Sequence, residues 1–142
     1  MNAPLYNTAI LKLAATIPHH ARLADAQGTS EKRSPVCGSR VTVDVTLDAD
    51  GRVSALGQEV RACALGQASA SLMAAAAIGK SRAELEAARD ALAGFLAGTR
   101  DDPGEWPGLD IFLPARPHAA RHPSIRLAFE AAAEAAARAA GD

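Results

Sequence analysis

The chain has 142 residues, 49% hydrophobic and 22% charged, with a formal net charge of −1 and two cysteines. That length suffices for one domain with a real core, and the near-neutral balance leaves no basic stripe for nucleic acid. No apolar run approaches a membrane span, and two cysteines exclude both a disulfide scaffold and a four-cysteine zinc finger.

Tyr6 to Ile17 reads as a helix, with Ile10, Leu13, Ala14 and Ile17 on one face and Pro18 ending it. His19 and His20 follow that proline, where solvated or capping roles fit them. Arg22 to Arg33 is polar and contains glycine; it reads as a loop with a short edge strand. From Arg40 to Asp48 the chain alternates: Val41, Val43, Val45 and Leu47 share one parity and polar residues the other, as in a half-buried strand. Asp48-Ala49-Asp50-Gly51 is a turn with glycine where a left-handed residue is wanted, and Arg52 to Ala62 is the returning strand. A three-residue loop pairs Asp48 with Arg52 and, carried along the hairpin, sets Cys37 opposite Cys63. A slip of one residue staggers the two cysteines but keeps them at the same end.

After Cys63, a run of small residues with Leu65, Leu72 and Met73 predicts a helix lying close against a neighbour. Ser81-Arg82-Ala83-Glu84 is a capping box opening a helix with Leu85, Ala88, Leu92, Phe95 and Leu96 at helical spacing, and Gly98 stops it. Arg100 to Pro114 reads as a loop packed by Trp106, Leu109, Ile111, Phe112 and Leu113. Pro123 to Ala140 reads as an alanine-rich helix with Glu134 and Arg138 four apart. The expected fold is α+β: a small antiparallel sheet, hairpin plus edge strand, packed against about four helices in one domain.

Two thiols at one end of a hairpin fit a disulfide, an inert buried pair, or a metal- or sulfur-handling site. Met1 to Asn7 lacks the basic start and apolar core of a secretory signal, so the expectation is a cytoplasmic chain with reduced thiols. Metal or sulfur chemistry then ranks first. At a helix N-terminus, Cys63 would meet unpaired amides and the positive end of the dipole, which favour thiolate. The competing explanation is a small side chain at a tight strand-to-helix joint. No glycine-rich loop leads into Lys-Ser/Thr. Asp48 and Asp50 belong to the turn, and Ser69 and Ser71 lack a His–Asp arrangement. No hydrolytic chemistry is indicated, and the chain is not read as an enzyme.

Ser34-Pro35-Val36-Cys37-Gly38-Ser39 before a strand, an Asp-Gly hairpin, and Cys63 before a small Ala/Ser helix together resemble the NifU/IscU iron–sulfur cluster scaffold domain. That family carries its first cysteine in a Pro-x-Cys-Gly-Asp context and its second before an Ala- and Ser-containing helix, and Cys37 and Cys63 match these. The resemblance runs from about Tyr6 to the C-terminal helix. The segment between Leu96 and Arg121, with Gly104-Glu105-Trp106-Pro107-Gly108-Leu109, resembles the insertion of the SufU branch. Two positions depart from the pattern. The aspartate after Cys-Gly is Ser39, a poorer ligand for iron or zinc, and the third family cysteine is absent. Aligning Leu127-Ala128 with the family's Leu-Ala puts Ser124 in its position; a two-residue slip puts His122 there.

The resemblance implies a scaffold that receives sulfur from a cysteine desulfurase, holds iron or a nascent iron–sulfur cluster, and passes it to cluster-accepting proteins. Its ligands would be Cys37 and Cys63, with His122 completing the set. Pro123 disfavours helical backbone before it, so His122 is expected to be extended at the mouth of the last helix, and a neutral imidazole binds zinc or iron well. Capping or solvation is the alternative role for His122; His118 is a weaker ligand candidate, and Arg121 would offset thiolate charge. Two other readings stay open: a zinc-dependent sulfur-transfer protein of the SufU type, and a relative without a cluster that binds partners. The expected state is a monomer or weak homodimer, with neither nucleic acid nor membrane as partner.

Overall fold

The hairpin forms where the alternation predicts it. In the computed structural model, which describes residues 5–35 and 38–142, β1 (Gly28–Arg33), β2 (Arg40–Leu47) and β3 (Val53–Arg61) form an antiparallel sheet in the order β1-β2-β3. The Asp48 backbone N–H donates to the Arg52 carbonyl at 2.7 Å, while its carboxylate accepts from the amides of Asp50 and Arg52. Gly51, at φ 77°, supplies the left-handed residue that closes this turn. Leu47 then pairs with Val53, but Thr46 pairs with Ala55, so Ser54 is an extra residue and the ladder is bulged. From there to the Arg40–Arg61 pair the register runs one residue off the unbulged expectation, the staggered case. The pairing expected of Cys37 itself lies outside the described residues.

One face of the sheet is closed by helices. α4 (His122–Ala139) lies across β1 and β2, and α2 (Ala64–Ala77) packs between α4 and α1 (Thr8–Ala15), also touching β3. Val41, Val43 and Val45 are fully buried beneath them, each worth about 1.5–3 kcal/mol of apolar burial. Because α2 has neighbours on several sides, Leu65, Gly66, Ala68, Ser69, Ala70, Ser71, Met73, Ala74 and Ala77 are all buried. The small side chains are what let three helices approach.

The opposite face was expected to be solvated, and it is not. Asp44 is 0% exposed and Thr42 is buried. The stretch before β1 crosses this face. Arg22 donates to the Asp44 carboxylate through Nε at 2.6 Å and Nη2 at 3.1 Å, the Leu23 amide donates at 3.0 Å, and the Thr29 hydroxyl at 2.6 Å. Burial alone would push the Asp44 carboxyl up, but these bonds, Arg22 foremost, outweigh it and hold its pKa below the usual aspartate range.

α1 is shorter than its apolar spacing implies. Asn7 caps it by accepting from the Ile10 amide at 2.9 Å, and it ends at Ala15, before Pro18. α3 (Arg82–Ala97) begins with the expected capping box and stops at Gly98. The stretch after it is not wholly loop: Leu109–Ala115 and Ala119–Arg121 are 3₁₀ helices. Trp106, Leu109 and Phe112 are buried there, with the Trp106 indole donating to the Leu72 carbonyl at 2.8 Å, whereas Leu113 is 55% exposed. No helix among the described residues is long and apolar enough to cross a membrane.

Candidate metal centre

Three segments meet at the end of the sheet away from the Asp48–Gly51 turn. The first is the β1–β2 connection, closed by the Ser34 amide donating to the Ser39 carbonyl at 2.8 Å, with Gly38 at φ 75°. Cys37 belongs to this connection by sequence and lies outside the described residues. The second is the joint between β3 and α2. Cys63 is the N-cap of α2, extended at φ −65°, ψ 171°, and its carbonyl accepts from the Gln67 amide at 2.9 Å. Its thiol makes no capping bond and is half-buried. The third is the first turn of α4.

α2 and α4 touch at their N-terminal ends. A Cβ on Gly66, one turn after Cys63, would lie 3.1 Å from the Ser124 carbonyl oxygen and 2.7 Å from the Ala62 Cβ, so only glycine permits this approach. Ser69 donates to the Ile125 carbonyl at 2.5 Å and pins the two helices together. Two helix N-termini thus converge beside Cys63, and their dipoles favour negative charge there. Ser39 and Ser124, 4% and 2% exposed, complete the corner with their hydroxyl oxygens 3.2 Å apart. In the alignment that puts Ser124 at the position of the missing cysteine, the two departures from the scaffold pattern are therefore in contact. Sequence reasoning named each residue but missed their pairing, because 85 positions separate them.

His122 does not stand as expected. It is the first residue of α4 with helical backbone, φ −59° and ψ −43°, instead of extended. The 3₁₀ turn Ala119–Arg121 already brings the chain in helically, and the ring is anchored, which together override the steric bias imposed by Pro123. Nε2 lies 2.9 Å from the Ala115 carbonyl; since a carbonyl only accepts, this nitrogen is the donor. Side chains two residues apart leave a helix about 200° from one another, so His122 and Ser124 point to opposite sides of α4. The His122 ring lines a cavity of about 260 Å³ with Leu96 of α3 and Arg126.

The remaining candidates lie at the surface. His118 is exposed at the start of the second 3₁₀ turn, and His19 and His20 are exposed in the turn after α1, with His19 at φ 53°. Arg121 lies over the Tyr6 ring at 5.9 Å. Among the described residues, no group of three or more His, Cys, Asp or Glu side chains is arranged to hold a metal ion.

Comparison with known proteins places the fold in a family. The family described as NifU-like N terminal domain matches residues 5–98, which include Ser39 and Cys63. The chain belongs to this family. A solved structure of the N-terminal part of a nitrogen-fixing NifU-like protein from Brucella abortus is 38% identical, with a TM-score of 0.89 over 96% of this chain and 94% of that one. That alignment extends beyond the family match, which stops before α4. A putative iron–sulfur cluster assembly scaffold protein for the SUF system from Fervidobacterium islandicum shares the fold, with a TM-score of 0.85 at 20% identity, covering 93% of this chain and 96% of that one. No curated protein matches the chain.

Proposed function

We propose that this NifU-like chain is a scaffold for iron–sulfur cluster assembly, one domain that holds iron or a nascent cluster on Cys37 and Cys63 and then hands it on. The observation that carries the reading is the convergence of Cys63, two helix N-termini and the buried Ser39–Ser124 pair at one corner of a NifU-like fold. Thiolates suit iron and zinc, and positive helix ends stabilise them. Hydroxyls are weak ligands, so the set holds its cargo loosely, which suits transfer. As a third donor, His122 would have to leave the Ala115 carbonyl, whereas Ser124 already stands against Ser39. We therefore rank Ser124 ahead of His122 in completing the set.

In this reading the chain does not turn over a substrate. A cysteine desulfurase supplies the sulfur, cluster-accepting proteins receive the product, and the work is done in the cytoplasm. Anaerobic reconstitution with iron and sulfide, followed by absorption spectra and metal analysis, tests it. The wild type should develop a charge-transfer band that Cys63→Ser loses with its fold intact by circular dichroism. Stoichiometric zinc without a cluster would replace the scaffold reading with zinc-dependent sulfur transfer. No metal in any sample would leave a partner-binding relative.

A further inference from the structure

The strand register sets three arginines in one row. Arg33 of β1 pairs with Arg40 of β2, and Arg40 pairs with Arg61 of β3, all on the face away from the helices. Directly opposed like charges destabilise a sheet, so the row works against stability unless something offsets it. The next row on the same face supplies two carboxylates. Glu31 is 2.9 Å from Arg33 and 3.7 Å from Arg40, and Glu59 is 3.6 Å from both Arg40 and Arg61. Three guanidinium groups thus share two carboxylates, mostly at loose distances. Arg33 and Arg61 remain 64% and 69% exposed. Surface pairs of this kind contribute little and exchange readily.

The row borders the candidate metal centre. Arg40 directly follows Ser39, and Arg61 is two residues before Cys63. With strands about 4.8 Å apart, the row spans about 10 Å. We propose that Arg33, Arg40 and Arg61 form a docking strip for a carboxylate-rich segment of a partner protein that exchanges sulfur or metal with the thiol corner. The proposal rests on the scaffold reading for the identity of the exchange but not for the contact itself. A guanidinium fork matches a carboxylate with two parallel hydrogen bonds, so a partner's acidic side chains can displace Glu31 and Glu59. A nucleic acid fits less well. The two glutamates break the cationic field, the net charge of the chain is −1, and the row carries no aromatic residue on which a base would stack.

The probe is a fluorescently labelled peptide of ten glutamates, titrated with the full chain and followed by fluorescence polarisation. Binding should weaken about tenfold or more as salt rises and shortens the screening length. Arg33→Gln with Arg61→Gln should weaken low-salt binding by a similar factor with an unchanged circular dichroism melt, and Glu59→Gln should tighten it. Cys63→Ser should bind like the wild type, so loss of the metal reading and loss of the docking strip are separable. Equal binding by the double arginine variant, or no binding of the peptide at low salt, overturns the proposal. So does a single-stranded oligothymidine that binds more tightly than the peptide and is lost in the same variant.

Discussion

Two buried polar clusters on or beside β2 lie five residues apart and are built differently. Asp44 is a charge enclosed on the outer face, bonded by two nitrogens of Arg22, the Leu23 amide and the Thr29 hydroxyl. Ser39 and Ser124 are neutral hydroxyls facing each other where the last helix meets the sheet. The Asp44 cluster is closed: every donor comes from the chain, and it ties the covering segment to the central strand. The serine cluster is neutral and stands at the corner proposed to hold metal. One cluster ties a covering segment to the sheet; the other sets two weak donors side by side where α4 meets it.

The largest effect is expected at Asp44. Asp44→Asn should lower stability by about 3 kcal/mol, because one acceptor becomes a donor and Arg22 loses its counter-charge. Urea unfolding measures this, and metal uptake should be unchanged. The effect depends on pH. Asp44 is held below its unfolded value of about 3.9, so its contribution is complete above that value and is lost as pH falls through the lower folded value. Wild type and variant should converge in stability in that acid range; a constant gap would mean that shape, not charge, carries the effect.

Next in size is Ser124→Cys, which adds a thiol to the corner. Iron or zinc should leave the variant about tenfold more slowly in a chelator challenge, equivalent to about 1.4 kcal/mol. Unchanged release would separate Ser124 from the ligand set. The smallest effect is expected from His122→Ala. Loss of the bond to the Ala115 carbonyl should lower stability by about 1 kcal/mol in thermal or urea unfolding, with little change in metal content. A metal loss as complete as that of Cys63→Ser would show that the ring swings into the corner and would reverse the ranking of Ser124 and His122.

Local signals were legible. The alternation of Val41, Val43 and Val45, the Asp48–Gly51 turn, the Ser81 capping box and the stop at Gly98 each depend on neighbours within a few residues. Cys63 at the start of α2 was readable for the same reason. The bulge at Ser54 was not, because no turn or breaker residue marks it. Asp44 read as a solvent-facing strand residue, since nothing local announces that Arg22 and Thr29 converge on it. His122 misled because a bias acting between adjacent residues yielded to an incoming 3₁₀ turn and an anchored ring.

The contact between Ser39 and Ser124 has a consequence for synthesis. A chain growing from its N-terminus completes the hairpin and Cys63 about sixty residues before Ser124 is added, a delay of several seconds at ribosomal rates. During that interval Gly66 has no helix against it, and the half-buried thiol stands at an open edge. The corner is finished only when α4 docks, so in the proposed reading loading waits for α4, and until then Cys63 is open to whatever oxidant or stray metal arrives first.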